Sequence, residues 1–283
     1  MLINGAKAVL ESLKKEGVDV VFGYPGGAVL TLYDAVYTMN FPHVLTRHEQ
    51  GAVHAADGYA RATGKTGVVF ATSGPGAANL VTGIATAYTD SVPLVCITGQ
   101  VANPYIGKDS FQEADIFGIT TPITKHNYLV KKVEDLPRVL KEAFFIARTG
   151  RPGPVVIDVA KDVFDTKFDY NYPEDVHLRG YSGEYIGDET EIDAVVEALQ
   201  AAKKPLFFVG GGIVSSNTSE LVRKIVRSLK VPVTSTLLGL GVIPADEKGF
   251  LGFAGMHGSY AANKTADECD LMFSIGCRFN DRV

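Results

Sequence analysis

Thr46-Arg-His-Glu-Gln-Gly-Ala-Val-His-Ala-Ala-Asp-Gly-Tyr-Ala-Arg61 is the stretch from which the first half of this sequence is best read. It opens with charge and continues with small residues, a pattern that predicts a helix closed by Gly64. At a period of about 3.6 residues, Glu49, Ala52 or Val53, Ala56 and Ala60 share one face. That face is nearly bare of bulk, so a neighbouring element must pack close against it. Glu49 at its head has two readings. One is a first-turn acid favoured by the helix dipole; the other is a buried acid whose proton does chemistry.

Around this helix, short apolar runs alternate with helical patterns. Strands are expected at 18–22, 43–45, 67–71, 93–98, 126–130 and 154–158, and helices at about 6–16, 28–37, 77–88 and 136–148. The alternation predicts βαβ units and a mostly parallel sheet covered on both faces, an α/β fold. Ligands on such sheets bind at the carboxyl ends of the strands. Three of those ends carry Gly/Pro loops or polar groups: Gly23–Gly27, Thr72–Gly76 and Gly99–Gln112.

Residues 166–188 lose the period and are rich in turn formers, which reads as a surface linker. The pattern then restarts: helices at 189–202, 219–229 and about 259–267, strands at 205–209, 231–234 and 271–275. The sequence stops eight residues after the last of these strands, with no crossover helix, so this second α/β domain is expected to be incomplete.

Composition excludes several classes. Of 283 residues, 46% are hydrophobic and 21% charged, enough for a sizeable core. The net charge of −5 gives no basis for binding nucleic acid or an anionic membrane. Cys96, Cys269 and Cys277 are odd in number and lack C-x-x-C spacing, which argues for a reducing cytoplasm and against a zinc site. Thr66–Thr89 carries no charge, but Ser73-Gly-Pro-Gly76 would break a spanning helix. His48 and His54 fall on different helix faces and do not form a metal pair, and no metal ligands are assigned. There is no Walker lysine and no G-x-S-x-G elbow. Gly210-Gly-Gly212 lacks a full dinucleotide fingerprint and is by itself turn chemistry. By themselves, Asp109–Asp115 reads as a solvated loop anchored by Phe111, and Lys161 as a surface charge.

Taken together, the motifs resemble the large catalytic subunit family of acetohydroxyacid (acetolactate) synthases, thiamine-diphosphate enzymes. The resemblance runs over the whole chain. Phe22-Gly-Tyr-Pro-Gly-Gly-Ala28, Arg47–Ala52, Gly58–Lys65, Thr72–Ala77 and Ile97–Gln100 occur across the wider superfamily; Asp109-Ser-Phe-Gln-Glu113, Gly255-Met-His-Gly258 and Arg278–Val283 are more particular. It implies a thiamine-diphosphate pyrimidine-binding domain at 1–165, a linker at 166–188 and a truncated central FAD-binding domain at 189–283. A third domain, holding Mg²⁺ and the diphosphate through Gly-Asp-Gly…Asn, is not in this sequence.

By the same resemblance, Glu49 would hydrogen-bond the aminopyrimidine and favour its imino tautomer, which activates the thiazolium carbon toward pyruvate. Tyr24, Gly26, Gly27 and Ala28 would line the thiazolium side, and Pro75 and Asn79 the pyrimidine wall. Phe111 and Gln112 would reach into a partner's site in a homodimer or homotetramer, and Lys161 would stand at the substrate entrance. Arg151, Gly210, Gly211, Gly212, Thr236, Leu237, Met256, His257, Gly276 and Arg278 would contact a structural FAD. A small regulatory subunit is the further implied partner.

Thr31 and Ala160 stand where the family has proline, and Cys277 and Asn280 where it has Ala or Val and Asp. Ala160 is expected to loosen the strand exit that aims Lys161. The alternatives are an FAD-free catabolic acetolactate synthase, a pyruvate oxidase, and a non-catalytic assembly subunit. On the leading reading, purified residues 1–283 form no acetolactate from pyruvate; formation without any partner polypeptide would refute it.

Overall fold

The computed structural model describes residues 1–183 and 185–280. Two units are resolved, Met1–Tyr185 and the chain from Ile186 onward.

In the first unit a short strand, β1 (Leu2–Asn4), leads into α1 (Gly5–Lys15). The Asn4 side chain caps that helix by accepting from the Lys7 amide, and Gly17 follows it at φ +73°. β2 (Val21–Gly23) enters a 3₁₀ turn, Gly27–Val29, then α2 (Leu30–Thr38) and β3 (His43–Leu45). α3 (Glu49–Thr63) begins three residues later than the charge pattern suggests, because Thr46 is held in the preceding turn by its amide bond to Gly23 O, 3.1 Å. Gly64 closes it in the left-handed conformation. β4 (Gly67–Ala71) is followed by α4 (Pro75–Ala78) and α5 (Val81–Asp90), where a single helix was expected. β5 (Leu94–Gln100), α6 (Ile116–Thr120), β6 (His126–Val130), α7 (Leu136–Arg148), β7 (Pro154–Ala160) and α8 (Lys161–Asp165) complete the alternation.

Strands β3-β2-β4-β5-β7-β6 form one six-stranded sheet, parallel throughout. Residues alternate between its faces. Val68, Phe70, Val95, Ile97, Val155 and Ile157 join α1, α2 and α7 in one core; Val69, Ala71, Leu94, Cys96 and Val156 join α3, α5 and α6 in the other. Phe70, Phe144 and Phe164 are fully buried, each contributing up to about 3 kcal/mol.

The expected linker is in its first part a piece of this unit. β8 (Lys167–Asp169) pairs antiparallel with β1, Tyr170 stacks on Tyr172, and the Tyr172 hydroxyl donates to Glu16 Oε1 at 2.7 Å. Apolar-polar alternation over three residues is too short to announce a strand. Glu184 lies outside the described residues.

In the second unit, α9 (Glu189–Ala201), β9 (Pro205–Val209), α10 (Gly211–Ser215), α11 (Ser219–Leu229), β10 (Val233–Ser235), β11 (Phe250–Phe253), α12 (Tyr260–Glu268) and β12 (Leu271–Ile275) give a four-stranded parallel sheet ordered β11-β10-β9-β12. β11 was not expected. Gly249 and Gly252, both at positive φ, interrupt its apolar run.

The bare face of α3 finds its partners in β4 and α5. A Cβ at Gly67 would lie 2.3 Å from the Ala56 carbonyl oxygen, and one at Gly83 would lie 2.2 Å from Val53 Cγ1. Gly67→Ala must therefore lift α3 off the sheet. It should lower unfolding stability by about 1–3 kcal/mol, read as a shift in the urea midpoint; an unshifted midpoint would show that the helix does not sit this close.

Candidate active site

The turns after β2, β3, β4, β5 and β7 meet at the carboxyl edge of the six-stranded sheet. Glu49, the first residue of α3, is 7% exposed. His48 caps the helix through Nδ1, which accepts from the Gln50 amide at 3.1 Å. Asn79 ends α4 and donates its side-chain amide to Glu49 Oε2 at 2.9 Å. The break between α4 and α5 falls beside this residue. Glu49 Oε1 faces Gly76, where a Cβ would stand 3.1 Å away.

Thr72 organises the space beside the acid. It accepts from the Ala28 amide at 3.1 Å through Oγ1, and its methyl and Cβ lie 2.5 Å from where a Gly26 Cβ would be. Its methyl also lies 2.6 Å from a Cβ at Gly76. Both glycines are needed by this approach; Gly26 itself is ordinary extended backbone. Thr72, in a loop the residue pattern marked without assigning it a role, and Tyr33, which no pattern singled out, are neighbours of this acid. The buried Tyr33 hydroxyl has no hydrogen-bond partner among the described residues and rests against Gly23. Burial, and next the negative charge of Glu49, raise its phenol above the ordinary range.

Of the expected residues, Glu49, Gly26, Ala28 and Asn79 are gathered here with Thr72 and Gly76. Tyr24 is half-exposed on the same edge, and Pro75 opens α4. Gly27 has open space where its Cβ would be. The Gln112 loop also arrives: a Cβ at Gly74 would lie 2.3 Å from Gln112 O. Gln112 is at φ +58°, and Phe111 is 87% exposed. The loop is built on Glu113, whose carboxylate accepts from the amides of Gly107, Lys108 and Ser110. Those bonds hold it below the usual carboxylate range.

Lys161 is exposed at the first turn of α8. At the exit, Ala160 adopts φ −60°, the angle a proline ring would impose. α8 is further tied by Asp162, which accepts from the Asn103 amide at 3.0 Å, and by Asp165, which accepts from the Thr31 hydroxyl at 2.5 Å. Arg151 is not brought to this edge. It precedes β7 while Lys161 follows it, so the seven-residue strand, about 20 Å long, lies between the two. Arg151 closes the end of α5, donating to Tyr88 O and Thr89 O at 3.0 Å and to Ser91 Oγ at 2.7 Å.

In the second unit the residues expected at a flavin sit at the carboxyl edge of the four-stranded sheet. Cβ atoms at Gly210 and Gly212 would lie 2.3 Å and 2.8 Å from Gly276 backbone, which is at φ +63°. Thr236 caps the following 3₁₀ turn by accepting from the Gly239 amide, with Leu237 exposed. Met256, His257 and Arg278 are exposed on the turns after β11 and β12. Cys277 donates to Phe208 O at 3.0 Å, and burial pushes its thiol up to about 11. Asp281, Arg282 and Val283 of the closing motif lie outside the described residues. Among the described residues no cluster of metal-binding side chains and no helix long and apolar enough to cross a membrane is found.

Residues 3–119 match the model described as thiamine pyrophosphate enzyme, N-terminal TPP binding domain, and residues 192–283 that described as thiamine pyrophosphate enzyme, central domain. The chain belongs to the thiamine pyrophosphate enzyme family. Within it, the chain is 54% identical over 284 residues to the acetolactate synthase large subunit of Haemophilus influenzae. It is 51% identical over 285 residues to the acetolactate synthase isozyme 3 large subunit of Escherichia coli, and 50% over 281 to the Lactococcus lactis large subunit. These matches cover 99%, 100% and 99% of this chain. They cover 50%, 50% and 49% of the relatives, so the chain spans about half their length.

Asp158 interrupts the apolar run of β7 and is 1% exposed; burial pushes its carboxyl up to about 6, against hydrogen bonds from Thr98 and Gln100 that lower it. With a folded value above the unfolded 3.8, this group stabilises the fold most below pH about 4. That contribution, about 3 kcal/mol, is lost as pH rises through about 6. Asp158→Asn should flatten the fall in stability between pH 4 and 6.5 (approximate limits), measured by urea titration across that range; an unchanged slope would refute the assignment.

Proposed function

We propose that this chain carries the pyrimidine-binding part, and the beginning of the flavin-binding part, of an acetolactate synthase large subunit. The supporting observation is the setting of Glu49: buried at a helix N-terminus, held at Oε2 by Asn79, with Oε1 facing a position that lacks a side chain. The identity of about half its residues with named acetolactate synthase large subunits supports the reaction. That reaction decarboxylates pyruvate and joins the remaining two-carbon unit to pyruvate or 2-oxobutyrate, in valine, leucine and isoleucine synthesis.

The residues present fit the group they would hold. Thiamine diphosphate, when bound, supplies the nucleophilic carbon and the electron sink. Glu49 is the acid that would hold a proton at a ring nitrogen of the pyrimidine; Asn79 orients the carboxyl and Gly76 leaves that side clear. Gly26 and Ala28, pressed on Thr72, form the backbone wall. Phe111 projects outward, as a residue serving a second copy's site in a homodimer would, and Lys161 stands at the rim. The Gly210–Gly212 and Gly276 contacts leave bare backbone where a flavin could approach, with Thr236, Leu237, Met256, His257 and Arg278 around it. Mg²⁺ and the diphosphate would be held outside this chain. The relatives are named large subunits, which supports a small regulatory subunit as partner. The unpaired cysteines support a cytoplasmic location.

In the full-length protein loaded with thiamine diphosphate, Glu49→Gln should slow C2–H exchange of the cofactor by ~100-fold or more while the circular dichroism spectrum is kept. Exchange at the wild-type rate would return Glu49 to a structural role.

A further inference from the structure

Strands β5, β7 and β6 are neighbours, and on the face toward α6 the carboxyl-terminal halves of β5 and β7, and one position early in β6, are polar. Thr98, Gln100, Asp158 and Asn127 are 1%, 4%, 1% and 6% exposed. Burying a carboxylate in a sheet is costly, and an apolar side chain would serve packing better. The bonds show what the polar groups hold instead. Thr98 donates to Asp158 Oδ1 at 2.7 Å and Gln100 donates to Asp158 Oδ2 at 2.9 Å. The same Gln100 nitrogen donates to Ala114 O at 2.8 Å, and Gln100 Oε1 accepts from the Val101 amide at 2.8 Å. Every polar group of Gln100 is engaged. On β6, level with Val156 and so two residues toward the amino end from Asp158, Asn127 donates to Phe117 O at 2.6 Å and to Thr120 Oγ1 at 3.0 Å.

Ala114 is where the loop built on Glu113 is fastened to the sheet. The acceptor at Asp158 forces the Gln100 NH₂ group toward it, which aims the second N–H at Ala114 O. A flipped amide would set two oxygens against each other at both places. We propose that Gln100 and Asp158 are positioning residues. They set the placement of loop 107–115, and with it Phe111 and Gln112, over the Gly74 turn. The proposal deepens the reading above, since it takes this loop as part of the thiamine diphosphate site.

Amide hydrogen exchange on the full-length protein tests it without the cofactor. Gln100→Met keeps the bulk and removes the donor. It should speed exchange at residues 107–116 about tenfold while the amides of β4, β5 and β7 stay at wild-type rates. Unchanged loop exchange, or equal acceleration in the strands, would overturn the proposal.

If that variant does not fold, the wild type still carries the test by NMR. The amides of Val101, Ala114 and Asp115 should titrate together with a midpoint near that of Asp158, about 6, and the response should vanish in Asp158→Asn. Asp115 is the charged loop group facing Asp158, and Glu113 titrates below its usual range, so the Asn variant assigns the signal. Loop amides that ignore the titration of Asp158 would overturn the proposal.

With thiamine diphosphate bound, Gln100→Met should raise KM for pyruvate about tenfold and leave C2–H exchange within about twofold. A loosened loop with unchanged KM would overturn the link to the site. Absent C2–H exchange in the wild type would overturn the cofactor reading and leave the exchange result on the loop standing.

Discussion

The arrangement depends on how closely α3 approaches β4 and α5. Ala52, Val53, Ala56 and Ala60 are buried, and their small size lets the Ala56 carbonyl lie where a Cβ of Gly67 would be. Close packing of this kind tolerates little change in volume. It fixes the helix axis, and so the place of its first residue. Glu49 is held by the packing of its helix and by the side-chain bond from Asn79.

A second constraint acts beside it. Thr72 touches Gly26, Ala28 and Gly76 at once and joins two strand-end turns, those after β2 and β4, into one edge. Parallel strands bring their carboxyl ends together because each crossover returns the chain to the same end of the sheet. The glycines then decide how near the backbones of those turns come. In the second unit the same device recurs without a carboxylate: Gly210, Gly212 and Gly276 press strand ends together and leave bare backbone at the edge.

Buried polar groups give the first sheet its other specialisation. Thr98, Gln100, Asp158 and Asn127 occupy a face that is otherwise Val, Ala, Leu and Cys. The raised carboxyl of Asp158 is the energetic trace of that choice. The loop they fasten is long and polar, has little core of its own, and is organised from within by Glu113. Without ties to the sheet such a segment would sample many placements.

Local chemistry in the sequence was enough for the alternation of strands and helices, for several element bounds such as His43–Leu45, Leu136–Arg148 and Ser219–Leu229, and for the bare face of α3. Apolar period, glycine stops and residue size act over a few positions, so they can be read without coordinates. The motifs carried the family resemblance. Tertiary structure decided what depends on distant residues meeting. Asn79 reaches Glu49 from 30 residues away, Thr72 reaches Ala28 from 44, and Gln100 reaches Asp158 from 58. It also decided that β8 and β11 form, since three- and four-residue strands gain their stability from partners in space. Whether Glu49 was a surface acid or a buried one could not be settled by its own neighbours in sequence. Burial is a property of the packed edge, and that edge exists only once five turns have converged on it.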